Sequence, residues 1–402
     1  MTKKPTKKPG RRRGRTLFRL ALVGLLAVGL AAIWGWQALH APRGEGRRFF
    51  TVMPGQGAAA ILSGLEREGL VPSALLGRLY LVGYLGNPPL KAGDYEFAGP
   101  VAADAVIRKL VKGEVTVRGV TIREGLTLEE TADALLAAGF GRREALLEAL
   151  RDPTPIRDLD PDARDLEGYL FPDTYSWSRG TTERELVATL VDTFRERFER
   201  EIRLPYEAGR GVPFAKSPLH IEAAILDAAA ETELRPDQPA APVPQGGSRW
   251  RARSIRELVT LASIVEKEAQ LRGERPLIAG VYANRMALGI GLYADPTVIF
   301  ALKQAGRWDG NIRKGDLQID SPYNTYRYAG LPPGPIASPG LASLKAAADP
   351  SSLNYLYFVS RNDGSHLFAS TLAEHNRNVE RWQKRYWREK AAAEQPGHPA
   401  QK

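Results

Sequence analysis

The chain has 402 residues, 43% hydrophobic and 25% charged, which suits a folded protein long enough for two or three domains, each with its own core. Its formal net charge of +10 invites a nucleic-acid reading until it is mapped: the first 19 residues hold nine Lys or Arg and no acid, and the rest carries 47 basic against 46 acidic residues. The charge is a tail rather than a basic stripe on a folded face, which excludes nucleic acid as partner, and the lack of cysteine excludes disulfides, thiolate catalysis and Cys-type zinc sites.

Behind the basic tail (1–19), Leu20 to Trp36 lacks charged or strongly polar side chains, and extension to Leu39 gives 20 residues, about 30 Å as a helix and enough to cross a hydrocarbon core. A single transmembrane helix over 20–39 is expected. Lys and Arg stay on the cytoplasmic side, so everything from His40 onward lies outside, in the manner of a single-pass inner-membrane protein with a periplasmic bulk. Trp34 and Trp36 fall where an interfacial aromatic belt sits. A cleaved signal peptide is the alternative, but the run exceeds the usual ~7–15 residues and Gln37–Ala41 offers no clean small-x-small cleavage site.

A short polar linker (40–48) leads to Phe49–Val52, a strand-like run, then a Pro54-Gly55 turn and a helix over Ala58–Leu70. The pattern returns 70 residues later in Val120–Ile122, Gly125 and a helix from Leu128 to Leu136. Two copies make two strand–turn–helix units, not a solenoid. Between them, Leu90–Phe97 reads as a strand and Ala102–Val111 as an amphipathic helix, so 49–118 forms a small α+β module without catalytic signals and 119–160 a connecting segment.

A larger α+β domain is expected over 161–390. Thr182–Ile202 is a charged amphipathic helix, and the Pro-, Gly- and Ala-rich stretch 205–250 reads as a mobile insertion. Ser254 with Glu257 makes a capping box for a helix over Ile255–Ala269, and a second helix runs from Pro276 to Gly289. Tyr355–Ser360 and Ser365–Ser370 flank Asn362-Asp363-Gly364 as a β-hairpin, and Thr371 with Glu374 caps a last helix to Lys390, before a disordered tail at 391–402.

No HExxH, GxSxG, Walker A or GxGxxG motif occurs, and the five His (40, 220, 366, 375, 398) lack metal-ligand spacing, so no metal or other cofactor is expected. His366, in a hairpin strand, reads as a structural hydrogen-bonder. The segment that stands out is Leu261–Ala269 (LASIVEKEA). At about 100° per residue, Glu268 shares a side with Leu261, Ile264 and Val265, while Glu266 points roughly 200° away, nearer Ile255, Val259 and Ala262. The two cannot face one substrate, and Glu268 among apolar neighbours should have its pKa raised, as a general acid at neutral pH requires. A solvated charge cluster at a helix end is the ordinary alternative.

Seven segments resemble the YceG-like family of endolytic murein transglycosylases, in family order: Glu167–Tyr175 (EGYLFPDTY), Leu261–Glu268, Val281–Arg285 (VYANR), Ala294–Ile299 (ADPTVI), Ser321–Tyr326 (SPYNTY), Gly330–Gly340 (GLPPGPIASPG) and Tyr355–Val359 with its hairpin. The small module resembles the family's LysM-like domain, which extends the resemblance over nearly the whole chain. What it implies is a lytic transglycosylase that needs no water, acting on peptidoglycan glycan strands beside penicillin-binding-protein synthases. The second Glu of Glu-Lys-Glu, here Glu268, would be the acid, with Glu266 in support.

Asp295, Thr297, Tyr323, Asn324 and Tyr326 lie in polar-aromatic motifs suited to gripping sugar rings and N-acetyl groups; equally, their polar groups serve to cap Pro- and Gly-fixed loops. Phe171–Tyr175 is architectural. Two rivals stand beside this reading. One is a hydrolytic muramidase in which Asp295 or Asp173 activates water, and the other a non-catalytic cell-wall scaffold.

Overall fold

A computed structural model describes residues 11–210 and 250–393. Most of the basic tail, most of the 205–250 insertion and nearly all of the 391–402 tail therefore lie outside the described residues. The architecture mixes helices with short two-stranded ladders. The chain divides into two compact units, one of residues 1–119 with 176–181 and one of 120–175 with 182–402.

The first unit opens with a helix over Arg11–His40, of which Phe18–His40 is long and apolar enough to span a membrane and is almost wholly uncovered by protein. Its last turn is covered: Ala38 and Leu39 are buried, and Trp36 meets the Tyr84 ring edge-on at 5.6 Å. The polar segment expected to be a linker is engaged instead, with Pro42–Arg43 pairing antiparallel with Val101–Ala102. Arg47–Val52 then pairs antiparallel with Gly93–Ala98, setting Phe50 opposite Tyr95. Beneath this ladder Leu65, Leu70, Tyr95, Ile107 and Leu110 are sealed from solvent.

One early helix stops short of its expected end, and another has no counterpart in the sequence reading. Ala58–Arg67 stops three residues short of Leu70 because Gly69 takes φ +67°, which lets its own N–H and that of Leu70 turn back onto the Glu66 and Leu65 carbonyls. A helix over Ala74–Leu79, continued by a wider turn over Tyr80–Tyr84, was not expected, since apolar residues on both its faces blur the 3.6-residue period.

In the second unit, Leu128–Ala137 and Glu183–Phe198 both begin with complete capping boxes, Thr127/Glu130 and Thr182/Glu185. The helix Ile255–Glu268 is the centre of this unit, every residue from Ile255 to Val265 being buried. Ser254 accepts the Glu257 N–H at 3.2 Å, but only half of the expected box forms, because the Glu257 carboxylate reaches past Ser254 to the Arg253 N–H at 2.6 Å. Around this helix lie Arg275–Ala287, Asp295–Gln304 and Leu341–Ala348, and the hairpin narrows to Tyr357–Ser360 with His366–Ala369.

Three polar groups fix the central helix to the buried Gly330–Gly340 loop: Arg256 donates to the Pro333 carbonyl (2.7 Å), Ser263 accepts from the Ile336 N–H (3.0 Å), and Glu266 accepts from the Gly340 N–H (3.0 Å). Positions 256, 263 and 266 fall on one side of a 3.6-residue helix, so the loop contacts a single stripe. Arg256 also forms a buried two-pronged pair with Asp160 (3.0 and 2.9 Å), whose Oδ2 accepts the Tyr169 hydroxyl at 2.5 Å. Gly168, beside Tyr169, has φ +87°, and a Cβ there would collide with Pro335, so a side chain is barred on two grounds.

Removing one partner of a buried ion pair leaves the other charge uncompensated. Asp160→Ala is therefore expected to destabilise the second unit by about 3–5 kcal/mol, checked by urea unfolding followed through tryptophan fluorescence.

Candidate active site

The two glutamates of the Glu-Lys-Glu element have separate partners. Glu266 is nearly sealed; its Oε1 meets Arg275 Nη2 at 2.8 Å and its Oε2 takes the Gly340 N–H. On the helix side it shares with Ile255, Val259 and Ala262, it therefore rests against Arg275 and the 330–340 loop. Glu268 closes the same helix. Its Oε1 accepts the Tyr282 hydroxyl at 3.0 Å, and among the described residues no Lys or Arg forms an ion pair with it. The first three turns of the helix are buried on every side, so no single apolar face picks out Glu268. What distinguishes it is its place at the helix end, where the residue is half-buried.

Burial drives the Glu268 pKa up to about 7; the Tyr282 hydrogen bond opposes this, the charge of Asp295 adds to it and that of Arg285 subtracts. The carboxyl environment is thus polar and aromatic, not the purely apolar one that the helical wheel suggests. Tyr282, itself 1% exposed, stands on Arg275–Ala287 together with Asn284 and Arg285. Asn284 donates to the Leu353 and Tyr355 carbonyls, both at 2.9 Å, and Arg285 to those of Leu356 (2.7 Å) and Leu292 (2.6 Å). The Arg285 guanidinium also lies over Tyr293 (5.8 Å) and Tyr357 (5.6 Å). Burial lowers its pKa, and it remains a cation at any ordinary pH.

The remaining expected site residues divide. Asp295 opens the helix Asp295–Gln304 rather than sitting in a loop, and it accepts the Tyr326 hydroxyl at 2.6 Å; Tyr326 in turn packs 5.5 Å from Tyr293. Glu268, Asp295, Tyr326, Tyr282 and Arg285 act electrostatically on one another and form one cluster. Thr297 and Asn324 are fully buried and serve the backbone. The Thr297 hydroxyl donates to the Ala294 carbonyl at 2.7 Å, while Asn324 Nδ2 donates to the carbonyls of Leu317 (3.0 Å) and Ile319 (2.8 Å). Tyr323 packs on Phe300 at 4.9 Å, and burial pushes its pKa to about 12 beside Asp165 and Arg256 rather than Glu268. Asp173 lies 3.7 Å from Arg197, apart from the cluster, and His366 pairs with Glu274 at 2.7 Å.

Tyr282 and Arg285 were missed as site residues, although both stand inside the VYANR motif; the signal was a tyrosine on the next helix, which only the packing of two helices brings to Glu268. A second carboxyl is also pushed up: Glu167, to about 8, by burial. It is 8% exposed, and its Oε2 holds the Leu128 N–H at 2.9 Å at the start of a helix. Of the two raised carboxyls, Glu268 belongs to the more exposed residue.

A mixed helix-and-strand unit holding a carboxyl of raised pKa among Tyr, Asp and Arg has the makings of an enzyme site for acid–base chemistry. Residues 50–381 match the YceG-like family, and the chain belongs to it. It is 28% identical over 378 residues to a Bacillus subtilis protein named endolytic murein transglycosylase, covering 89% of this chain and 91% of that one. A Streptococcus pneumoniae R6 protein of the same name is 29% identical over 348 residues, where this chain spans 54% of the relative's length. The crystal structure of a YceG-like protein from Listeria monocytogenes superposes with a TM-score of 0.50 at 27% identity, over 83% of this chain and all of that one.

Two outcomes follow for Glu268. A raised carboxyl pKa means the folded state keeps a proton that the unfolded chain has lost between pH 4.5 and about 7, so this group's contribution to stability declines as pH rises through that window. Glu268→Gln should accordingly gain melting temperature relative to wild type as pH is raised from below 4.5 to above 7, read by calorimetry. Tyr282→Phe should shift the Glu268 titration upward and Asp295→Asn should shift it downward, followed by carbon NMR of the carboxyl.

Proposed function

We propose that this chain is an endolytic murein transglycosylase that cuts the bond between N-acetylmuramic acid and N-acetylglucosamine in peptidoglycan glycan strands. The observation that carries the proposal is the Glu268 carboxyl at the end of the central helix, hydrogen-bonded to Tyr282, raised to about 7 and without a cationic ion-pair partner among the described residues. An acid of this pKa can give up its proton at the operating pH and take one back in the next step.

Glu268 protonates the glycosidic oxygen as the bond to the muramoyl C1 breaks, and the N-acetylglucosamine leaves with that proton. The resulting carboxylate accepts the proton of the muramoyl C6 hydroxyl as its oxygen bonds to C1. The product ends in 1,6-anhydro-N-acetylmuramic acid, and Glu268 is restored. Tyr282 orients the carboxyl, and the Asp295–Tyr326 pair faces the charge that develops at C1. Glu266, committed to Arg275, supports the helix end. Thr297, Asn324 and Tyr323 shape the surrounding loops.

The first unit is the LysM-like part in this reading, supported by its strand–helix–helix–strand order with the outer strands paired. Phe18–His40 anchors the chain in the inner membrane, the basic tail marking the cytoplasmic side, so that cutting takes place outside, where it limits strand length beside the synthases. A hydrolytic muramidase reading draws on Asp295, a second carboxylate whose charge acts on Glu268.

Mass spectrometry of digested sacculi separates the two readings: anhydro ends accord with transglycosylation, and reducing ends with hydrolysis. Glu268→Gln in the full chain should lower product formation by about a hundred- to ten-thousand-fold, the usual worth of a general acid–base group, while sacculus binding persists. Unchanged turnover in this variant would remove Glu268 from the chemistry.

A further inference from the structure

The helix Ala74–Leu79 and the turn Tyr80–Tyr84 carry apolar residues that stay largely exposed. Gly77, Tyr80 and Leu81 point into the core, whereas Leu75 (67% exposed), Leu79 (61%), Val82 (50%) and Tyr84 (58%) face outward, with Arg78 among them. No Asp or Glu occurs between Glu68 and Asp94. Four large apolar side chains exposed within ten residues, with no acid among them, mark an interaction surface.

Its position names the occupant. Trp36 lies 5.6 Å from Tyr84, a Cβ on Gly35 would meet Leu76 at 3.2 Å, and the His40 ring is 6.4 Å from that of Tyr80. The segment therefore adjoins the last turns of the long apolar helix, where the Leu20–Trp36 run ends and the still-exposed Ile33 and Trp34 continue the apolar surface. Tyr80 and Tyr84 stack at 5.2 Å, and the Arg108 guanidinium sits 5.8 and 5.9 Å over their rings. Tyr, Trp and a snorkelling Arg at the end of an apolar span are the side chains of a membrane–water boundary.

We propose that residues 74–84 lie in the membrane interface with Leu75, Leu79, Val82 and Tyr84 against the acyl boundary, a second attachment of the first unit to the bilayer beside the span; this rests on Phe18–His40 being the anchor. A segment lying in the interface sinks its outward apolar side roughly 5–10 Å into that boundary. A second copy of the chain or another protein would cover the same face without lipid contact.

The chain has no cysteine, so one introduced thiol is unique. Full-length Leu79→Cys, Leu26→Cys and Lys112→Cys, each carrying an environment-sensitive fluorophore, are reconstituted in nanodiscs of phosphatidylethanolamine and phosphatidylglycerol. Quenching by lipids bearing a nitroxide just below the headgroup is compared with quenching by aqueous iodide. The expected result is about twofold or stronger lipid quenching at 79, at the depth of an interfacial helix, with weak iodide quenching there and the reverse at 112. A label at 79 that follows 112, or is shielded from both quenchers, overturns the proposal while lipid quenching at 26 leaves the anchor standing. Iodide quenching at 26 overturns both.

Discussion

The chemistry proposed for this chain depends on one constraint: a carboxyl group partly withdrawn from water and denied a matching cation. Water alone would hold Glu268 charged at neutral pH, and an arginine in contact would do so more firmly. The protein limits the first by setting the helix end among Tyr282, Asp295 and Arg285, and it withholds the second by occupying the nearest guanidinium elsewhere. Arg285 is committed to two main-chain carbonyls and two aromatic faces, so its charge tempers the carboxyl from a distance without forming a pair with it.

The contrast with Glu266, two positions earlier on the same helix, shows how local this control is. Both side chains belong to one charged tripeptide, yet one is closed into an ion pair with Arg275 and a loop N–H while the other forms no ion pair among the described residues. The stripe at 256, 263 and 266 fixes the rotation of the helix against the 330–340 loop, and position 268 lies roughly 120° around from 256 at 100° per residue. Glu268 is thereby turned from the loop toward Tyr282. Gly340 serves the same fastening, since a Cβ there would run into Glu124.

Much of this was legible in the residues. The helix starts announced by Ser254 with Glu257 and Thr371 with Glu374 lie where expected, each cap hydroxyl accepting the Glu N–H, because a cap is a local hydrogen bond and local chemistry survives folding. The choice of Glu268 over Glu266 as the raised carboxyl was also legible, though for an incomplete reason: a wheel assumes one buried face, and this helix is buried all round for three turns. Thr297, Asn324 and Tyr323 looked like sugar-gripping groups because polar and aromatic residues between prolines signal either a ligand or a tight loop; only the tertiary contacts tell one from the other. Tyr282 was hidden for the opposite reason, a tyrosine in an apolar helix giving no local sign of its partner 14 residues earlier. The 74–84 helix escaped notice because its apolar residues fall on both its buried and its exposed sides and leave no amphipathic period.

The helix Arg275–Ala287 presents Tyr282 to the acid and, within the next turn, Asn284 and Arg285 to the carbonyls before the hairpin. Those three side chains are geared together by helical pitch. One residue gained or lost inside the segment would swing everything beyond it by about 100° and withdraw either the tyrosine or the two anchors. Sequence drift can therefore alter the composition of this stretch far more readily than its length, and variation in chain length falls to turns that carry no such phase.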